Sequence, residues 1–356
     1  MKNRTERLDR MTTKDFGIDF GTARVVIYAA GKGVVLDEPA VIAVNTHTGK
    51  MFACGEEAYA MQGRAPASIE VIRPLSKGVI ADFDYACMML RYFMQKVCAY
   101  KVIKPRAAVS VPALVTAVEQ RSFMDAVYAA GARQVMLIEE SMAAAVGAGL
   151  DVEAPRGCMV VEIGAGTTDV AVMSLKGVAS SCSRRVGGDA FDEAIIRYMR
   201  QKHRLLIGNL SAERLKIEIG KVTDSAEEKE TTVSGRDAVS GLPRVCAITS
   251  SEILEAVYEP LQEILHTIQN VLENTPPELS ADIYDNGIIL TGGMAQLRGM
   301  TALVSATTGI CCRVADDPMH CVARGAAMSL KYVHLLRSGV YDIGKFLYDG
   351  STTLTN

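Results

Sequence analysis

At 356 residues, 49% hydrophobic and 22% charged, the chain has room for two ordinary domains or one bilobed unit and is too apolar to be disordered. A net charge of −3 leaves no electrostatic footprint for nucleic acid, which disfavours that partner class. None of the nine cysteines stands in a C-x-x-C pair, which argues against a zinc site or disulfide framework and for buried thiols in a reducing cytosol.

The opening residues, MKNRTERLDR, are basic but lack the apolar core of a secretory signal, and no later window supplies the ~20 apolar residues of a spanning helix. From Gly17 to Tyr28, GIDFGTARVVIY predicts a strand, a glycine turn and a second strand. A second turn, Gly31 to Gly33, precedes the short β-rich segment AVIAVN, and DYACMMLRYFMQKV predicts a long helix. RAAVSV predicts a strand ahead of Pro112, and TAVEQRSFMDAVYAAGA a helix. QVMLIEE predicts another strand, ending in Glu139 and Glu140, and SMAAAVGAGL a helix of small residues. Strands alternating with helices argue for a mostly parallel sheet covered on its faces.

Val160 to Met173, VVEIGAGTTDVAVM, then echoes the first motif: an acid ends an apolar run, a glycine turn follows, and β-branched residues resume. The order of elements partly repeats as well. RRVGGDAFDEAIIRYMRQKH reads as a turn and helix, SAERLKIEIG as a helix begun by a serine cap, and DSAEEKETTVSGRDAVSGLPRVCAIT as a solvated hairpin. Helical spacing runs from Ser251 to Leu272 and stops at Pro276 and Pro277. The strand GIIL then enters a third glycine turn, TGGMAQLRG, ahead of another helix. Duplication of a βαβ-type half explains the recurrence.

Any one glycine turn between strands is ordinarily a hairpin, but the repeated chemistry points further. Consecutive backbone N–H groups in such a turn form an anion cradle, which glycine leaves open to a phosphate, and Thr22, Thr167 and Thr168 add hydroxyls. Asp19 and Glu162, just upstream of the two turns, offer the oxygen ligands that suit Mg²⁺. The third turn leaves room for a flat base. Glu213 and Lys216, three apart on a helix, form either an ordinary surface ion pair or a contact to ribose or base, and spacing does not choose. Glu139 or Glu140, at a strand's C-terminal end, either orients an attacking water or complements the dipole of the following helix. Strand alternation puts the two on opposite sides, so that one faces the site.

With GKGVVLDEPAVIAV, IRPLSKGVIADF, VGGDAFDEAI, TPPELSADI and ILTGGMAQLRG added, the chain resembles the MreB-type bacterial actin homologues from about Asp15 to Leu335. The resemblance implies an α/β, actin-like ATPase fold of duplicated ribonuclease-H-like halves, with two lobes and four subdomains around a nucleotide cleft. It divides the chain into an extension (1–14), subdomain IA (15–32, 75–150 and about 320–345), IB (33–74), IIA (151–190 and 250–319), IIB (191–249) and a tail (346–356). It implies ATP and Mg²⁺ as cofactors, filaments of the protein itself at the cytoplasmic face of the inner membrane, and cell-wall elongation proteins as partners.

By motif position the resemblance places Asp19, Gly21, Thr22, Ala23 and Arg24 on the first phosphate turn, and Glu162, Gly164, Ala165, Gly166, Thr167 and Thr168 on the second. Glu213, Arg214 and Lys216, with Gly292, Gly293, Met294 and Ala295, fall on nucleoside contacts. Asp19 and Glu162 hold Mg²⁺ mostly through water, and Glu140 matches the hydrolysis glutamate. In AYKVIKPR, Val102 and Ile103 form an apolar tip among cations, suited to an anionic bilayer surface.

Several positions depart from the family pattern. Arg24 stands for Asn, Glu162 for Asp, Ala165 and Met294 for Gly, and Ser141 for Pro. If position 165 requires φ > 0, alanine there costs ~1 kcal/mol. These departures lead to an expectation of slow hydrolysis. A nucleotide-binding structural subunit without turnover is the alternative, and a small-molecule kinase with the same clamp a more distant one.

Overall fold

The computed structural model describes residues 15–98, 104–332 and 348–349. The chain divides into two units, Met1–Val152 with Met319–Asn356, and Glu153–Pro318.

In the first unit, β1 (Asp15–Phe20) folds back at Gly21 into β2 (Arg24–Ala29), which pairs with β3 (Gly33–Pro39). A small sheet follows from β4 (Ile42–Asn45), β5 (Met51–Cys54) and β6 (Ile69–Ile72), then a hairpin of β7 (Leu75–Ser76) and β8 (Val79–Ile80). The strands β9 (Arg106–Val111) and β10 (Gln134–Glu139) complete the main sheet on the other side of β1, both running parallel to it.

Period-two alternation sends Phe16, Ile18 and Phe20 of β1 to one face, into a core shared with Phe93 of helix Phe83–Val97 and Phe123 of helix Ala117–Ala129. The rings of Phe20 and Phe123 meet edge to face, 6.1 Å apart. Asp82 caps the first helix by accepting from the Tyr85 N–H (3.1 Å), and Thr116 with Glu119 forms a capping box on the second. On the opposite face, Gly17 lies against helix Cys321–Ser329, where an added Cβ would fall 2.0 Å from the Ala323 carbonyl oxygen. That helix packs equally closely on helix Glu140–Gly147 through Gly325 and Gly147.

The second unit repeats the plan. β11 (Cys158–Ile163) turns at Gly164 into β12 (Thr168–Ser174), which pairs with β13 (Gly177–Arg184). A small sheet of β14 (Leu205–Leu206), β15 (Glu230–Asp237) and β16 (Pro243–Thr249) follows, and it contains the expected hairpin. The strands β17 (Ile288–Thr291) and β18 (Cys312–Val314) then extend the main sheet parallel to β11.

The second sheet runs β13-β12-β11-β17-β18, and the first runs β3-β2-β1-β9-β10 with β19 (Tyr348–Asp349) added beyond β10. Strand for strand and direction for direction the two sheets agree, so the sequence echo marks a duplicated fold.

Two expectations are corrected. The helical run after Ser251 is two helices, Ser250–Ala256 and Tyr258–Glu273, broken at buried Val257. The helix over SAERLKIEIG begins earlier, at Asn209 after Gly208, so Ser211 lies inside its first turn and does not cap it. Among the described residues no two cysteines form a disulfide, and no helix is long and apolar enough to cross a membrane. Val102 and Ile103 lie outside the described residues.

Candidate functional site

Both glycine turns sit at the C-terminal edge of a parallel strand set, where open α/β sheets place ligands. In the first unit, Ile18 and Leu137 both pair with Val109, so β1, β9 and β10 end nearly level. The turn at Gly21 and Glu140 therefore emerge from the same edge of the sheet.

The first turn is closed by the Gly21 N–H donating to the Arg24 carbonyl (3.1 Å). Buried Thr22 accepts the Gly78 N–H on Oγ1 (3.0 Å), which ties the turn to the β7–β8 hairpin and leaves the hydroxyl proton to point elsewhere. Arg24 donates from Nε to Asp37 Oδ1 (2.5 Å), and Asp37 Oδ2 lies 3.2 Å from His320 Nε2. Burial pushes the Asp19 carboxyl up to about 7; Asp37 adds to the rise and His320 opposes it.

Glu140 is not the last residue of the strand. It opens helix Glu140–Gly147, is largely buried, and has Glu139 as the helix N-cap. The two glutamates thus part at a strand-to-helix junction, and strand alternation does not govern them.

In the second unit the Gly164 N–H donates to the Thr167 carbonyl (2.9 Å), giving the same closure. Buried Thr168 donates its hydroxyl to the Val186 carbonyl (2.8 Å). The Gly188 and Asp189 N–H groups, which begin helix Gly188–Lys202, donate to the Gly164 and Ala165 carbonyls (3.0 and 2.8 Å). Gly187 permits this docking, since a Cβ there would fall 2.5 Å from the Gly164 oxygen.

The predicted residues Ala165, Lys216 and Met294 converge on the start of that helix. A Cβ at Gly188 would lie 3.1 Å from Lys216 Nζ, 3.3 Å from Met294 Sδ and 3.6 Å from the Ala165 Cα. Lys216 does not pair with Glu213. Its Nζ reaches Asp192 Oδ2 (2.8 Å) and the Gly188 carbonyl (3.0 Å), both on the docked helix. Burial pushes the Asp192 carboxyl up to about 7, with Lys216 pulling it down. Arg214 is exposed and donates to the Thr232 carbonyl (3.2 Å).

Gly292, at φ 83, seats the third turn against β11, where a Cβ would fall 2.3 Å from the Ile163 carbonyl oxygen and 2.7 Å from Glu162 Oε1. The longer Glu162 side chain still brings an oxygen beside its turn. Its Oε1 lies 3.2 Å from where a Gly164 Cβ would sit, and Asp19 Oδ1 bears the same 3.2 Å relation to Gly21. The extra methylene is absorbed in the path of the side chain.

Ala165 is not among the non-glycine residues with positive φ, so alanine there carries no left-handed strain. Ala165→Gly is accordingly expected to lower stability slightly, by about 0.5–1 kcal/mol through the entropy of the unfolded chain. Urea unfolding measures it, and a gain in stability would contradict this backbone assignment.

Sequence reading missed Asp37, His320, Gly78, Gly187, Gly188 and Asp192. The Gly-Gly-Asp step before a helical pattern was a usable signal for Gly187 and Gly188. Nothing in local spacing links Lys216 to Asp192, 24 residues away.

Paired sheets of one topology, each with a glycine hairpin and an acid two residues ahead of it, define an actin-like fold. The chain belongs to the MreB/Mbl family, whose model, described as MreB/Mbl protein, matches residues 13–338. It is 46% identical to the cell shape-determining protein Mbl of Bacillus cereus, over 92% of this chain and 98% of that one. It is also 46% identical to the cell shape-determining protein MreB of Escherichia coli, over 91% and 95% respectively. The crystal structure of MreB 5 of Spiroplasma citri bound to AMPPNP matches with a TM-score of 0.85 at 32% identity, covering 93% of this chain and 99% of that one.

Proposed function

We propose that this chain binds ATP and assembles with copies of itself into filaments that organise cell shape, hydrolysing the nucleotide slowly. The observation that carries this reading is the recurrence of one glycine-turn hairpin, with its upstream acid, at the same place in two sheets of the same order. The Spiroplasma citri relative was crystallised with AMPPNP, and relatives at 46% identity are cell shape-determining proteins.

In this reading the backbone N–H groups of Thr22 to Arg24 and of Ala165 to Thr168 hold phosphate oxygens, in turns that the Gly21 and Gly164 N–H groups close, with the Thr22 and Thr167 hydroxyls assisting. Glu213, Arg214, Lys216 and Gly292 to Ala295 line the nucleoside. Asp19 and Glu162 present hard carboxylate oxygens of the kind Mg²⁺ takes, largely through water, and the metal would neutralise phosphate charge. Glu140 orients the attacking water. The chain then divides into subdomains IA, IB, IIA and IIB, with the β4–β6 and β14–β16 sheets as the cores of IB and IIB. Strand β3, which pairs with β2 in the main sheet, falls to IA rather than to IB as expected from sequence.

Calorimetric titration with ATP and Mg²⁺, beside light scattering, tests binding and assembly together, and no heat of binding would refute the reading. Glu140→Ala is expected to lower phosphate release about a hundredfold while leaving nucleotide affinity nearly unchanged. Equal rates would remove Glu140 from the chemistry. A peripheral place on the inner membrane rests on Val102 and Ile103. Liposome pelleting that survives acidic replacement of both would exclude that loop as the contact.

A further inference from the structure

Away from the glycine turns, the second unit holds a thiol, an imidazole and a carboxylate in line. His203 stands at the C-cap of helix Gly188–Lys202. Its Nδ1 lies 3.2 Å from Cys246 Sγ, and its Nε2 lies 2.7 Å from Glu252 Oε1. Glu252 is fixed by its own capping box, its Oε2 accepting from the Thr249 N–H at 3.0 Å. Cys246 sits half-buried on β16, the outer strand of its sheet.

The Glu252 carboxylate accepts from the Nε2–H of His203, which leaves Nδ1 as the acceptor facing Cys246 Sγ. An imidazole held this way takes the thiol proton at Nδ1 as the sulfur attacks, the pairing that nucleophile activation requires. The Ala247 carbonyl also lies 3.2 Å from Sγ. Burial pushes the Cys54 and Cys312 thiols up to about 12, with Glu38 adding to the first and Cys311 to the second.

We propose that Cys246 is a redox modification site, a thiol activated by His203 and Glu252 to exchange with low-molecular-weight disulfides. The Cys246 sulfur attacks one sulfur of the small disulfide, whose S–S bond breaks as a new one forms to Cys246. The departing thiolate takes up the proton that His203 drew from the thiol. Cys246 is oxidised and the small disulfide is reduced by the same electron pair.

The test exposes the full-length protein to limiting oxidised glutathione near neutral pH, then quenches with acid and maps peptide masses over time. Cys246 is expected to acquire glutathione about tenfold faster than Cys311, which is exposed and serves as an internal reference. His203→Gln is expected to bring Cys246 down to the Cys311 rate, and Glu252→Gln to give a smaller fall. Cys246 reacting no faster than Cys311, or a rate unmoved by His203→Gln, would overturn the proposal. If His203→Gln loosens the fold, Cys158, buried in the same unit, becomes reactive as well. Glu252→Gln, which keeps a side chain able to complete the capping box, then carries the comparison.

Discussion

Gly325→Ala is expected to destabilise the first unit by about 3 kcal/mol or more, although alanine is the better helix former by about 1 kcal/mol. The two contributions differ in sign, so the measurement separates them. A Cβ at Gly325 would fall 1.8 Å from the Ala143 carbonyl oxygen and 2.7 Å from the Gly147 N, and these are backbone atoms that no rotamer change can move. The contact is reciprocal, since a Cβ at Gly147 would fall 1.8 Å from the Cys321 carbonyl oxygen. Arg324 adds a bond from Nε to the Gly147 carbonyl (2.7 Å). The helix that must yield carries Glu140 at its first position, so under the proposed function phosphate release falls along with the urea midpoint. A midpoint unchanged or raised would mean that the helices separate at little cost.

Lys216→Met is expected to cost about 3 kcal/mol near pH 8 and distinctly less near pH 6. Lys216 is buried and its Nζ serves Asp192 and the Gly188 carbonyl, so its loss strands a carboxylate away from water. Asp192 titrates at about 7 in the fold, above the ordinary carboxylate value, because burial outweighs the lysine. A raised folded pKa stabilises fully below the unfolded value of about 4 and loses that contribution as pH climbs through about 7. Without Lys216 the carboxyl rises further, so the deficit deepens with pH. Adding Asp192→Asn should restore most of the lost stability and flatten the slope. Urea midpoints at the two pH values, for the single and double variants, decide it, and a deficit independent of pH would contradict the assignment.

The strands and turns were legible because β-branched runs and glycine punctuate them locally. GIDFGTARVVIY and VVEIGAGTTDVAVM each became a hairpin closed by the same backbone bond. Glycine-adjacent residues of the candidate site were legible for the same reason. Long-range partners were not. Helical spacing put Glu213 and Lys216 on one face but could not choose between a pair and a ligand contact, and Asp192 meets Lys216 only once two helices pack. Arg24 read as a cation near phosphate, yet its guanidinium is engaged by Asp37 of β3. The break at Val257 was hidden because its apolar spacing continues smoothly from one helix into the next.

The docking of helix Gly188–Lys202 on the second turn also makes the two hairpins electronically unequal. Its first N–H groups are spent on the Gly164 and Ala165 carbonyls, so they are not themselves offered to an anion. Each of those carbonyls shares a peptide plane with the next amide, at Ala165 and Gly166. Resonance across the plane passes the positive end of the helix into those N–H bonds and sharpens them as donors. The first turn is instead buttressed through the Thr22 oxygen and by a single N–H, that of Ala40 on the Ala23 carbonyl (2.8 Å), which comes from no helix, so the amides of the second turn are the more strongly polarised.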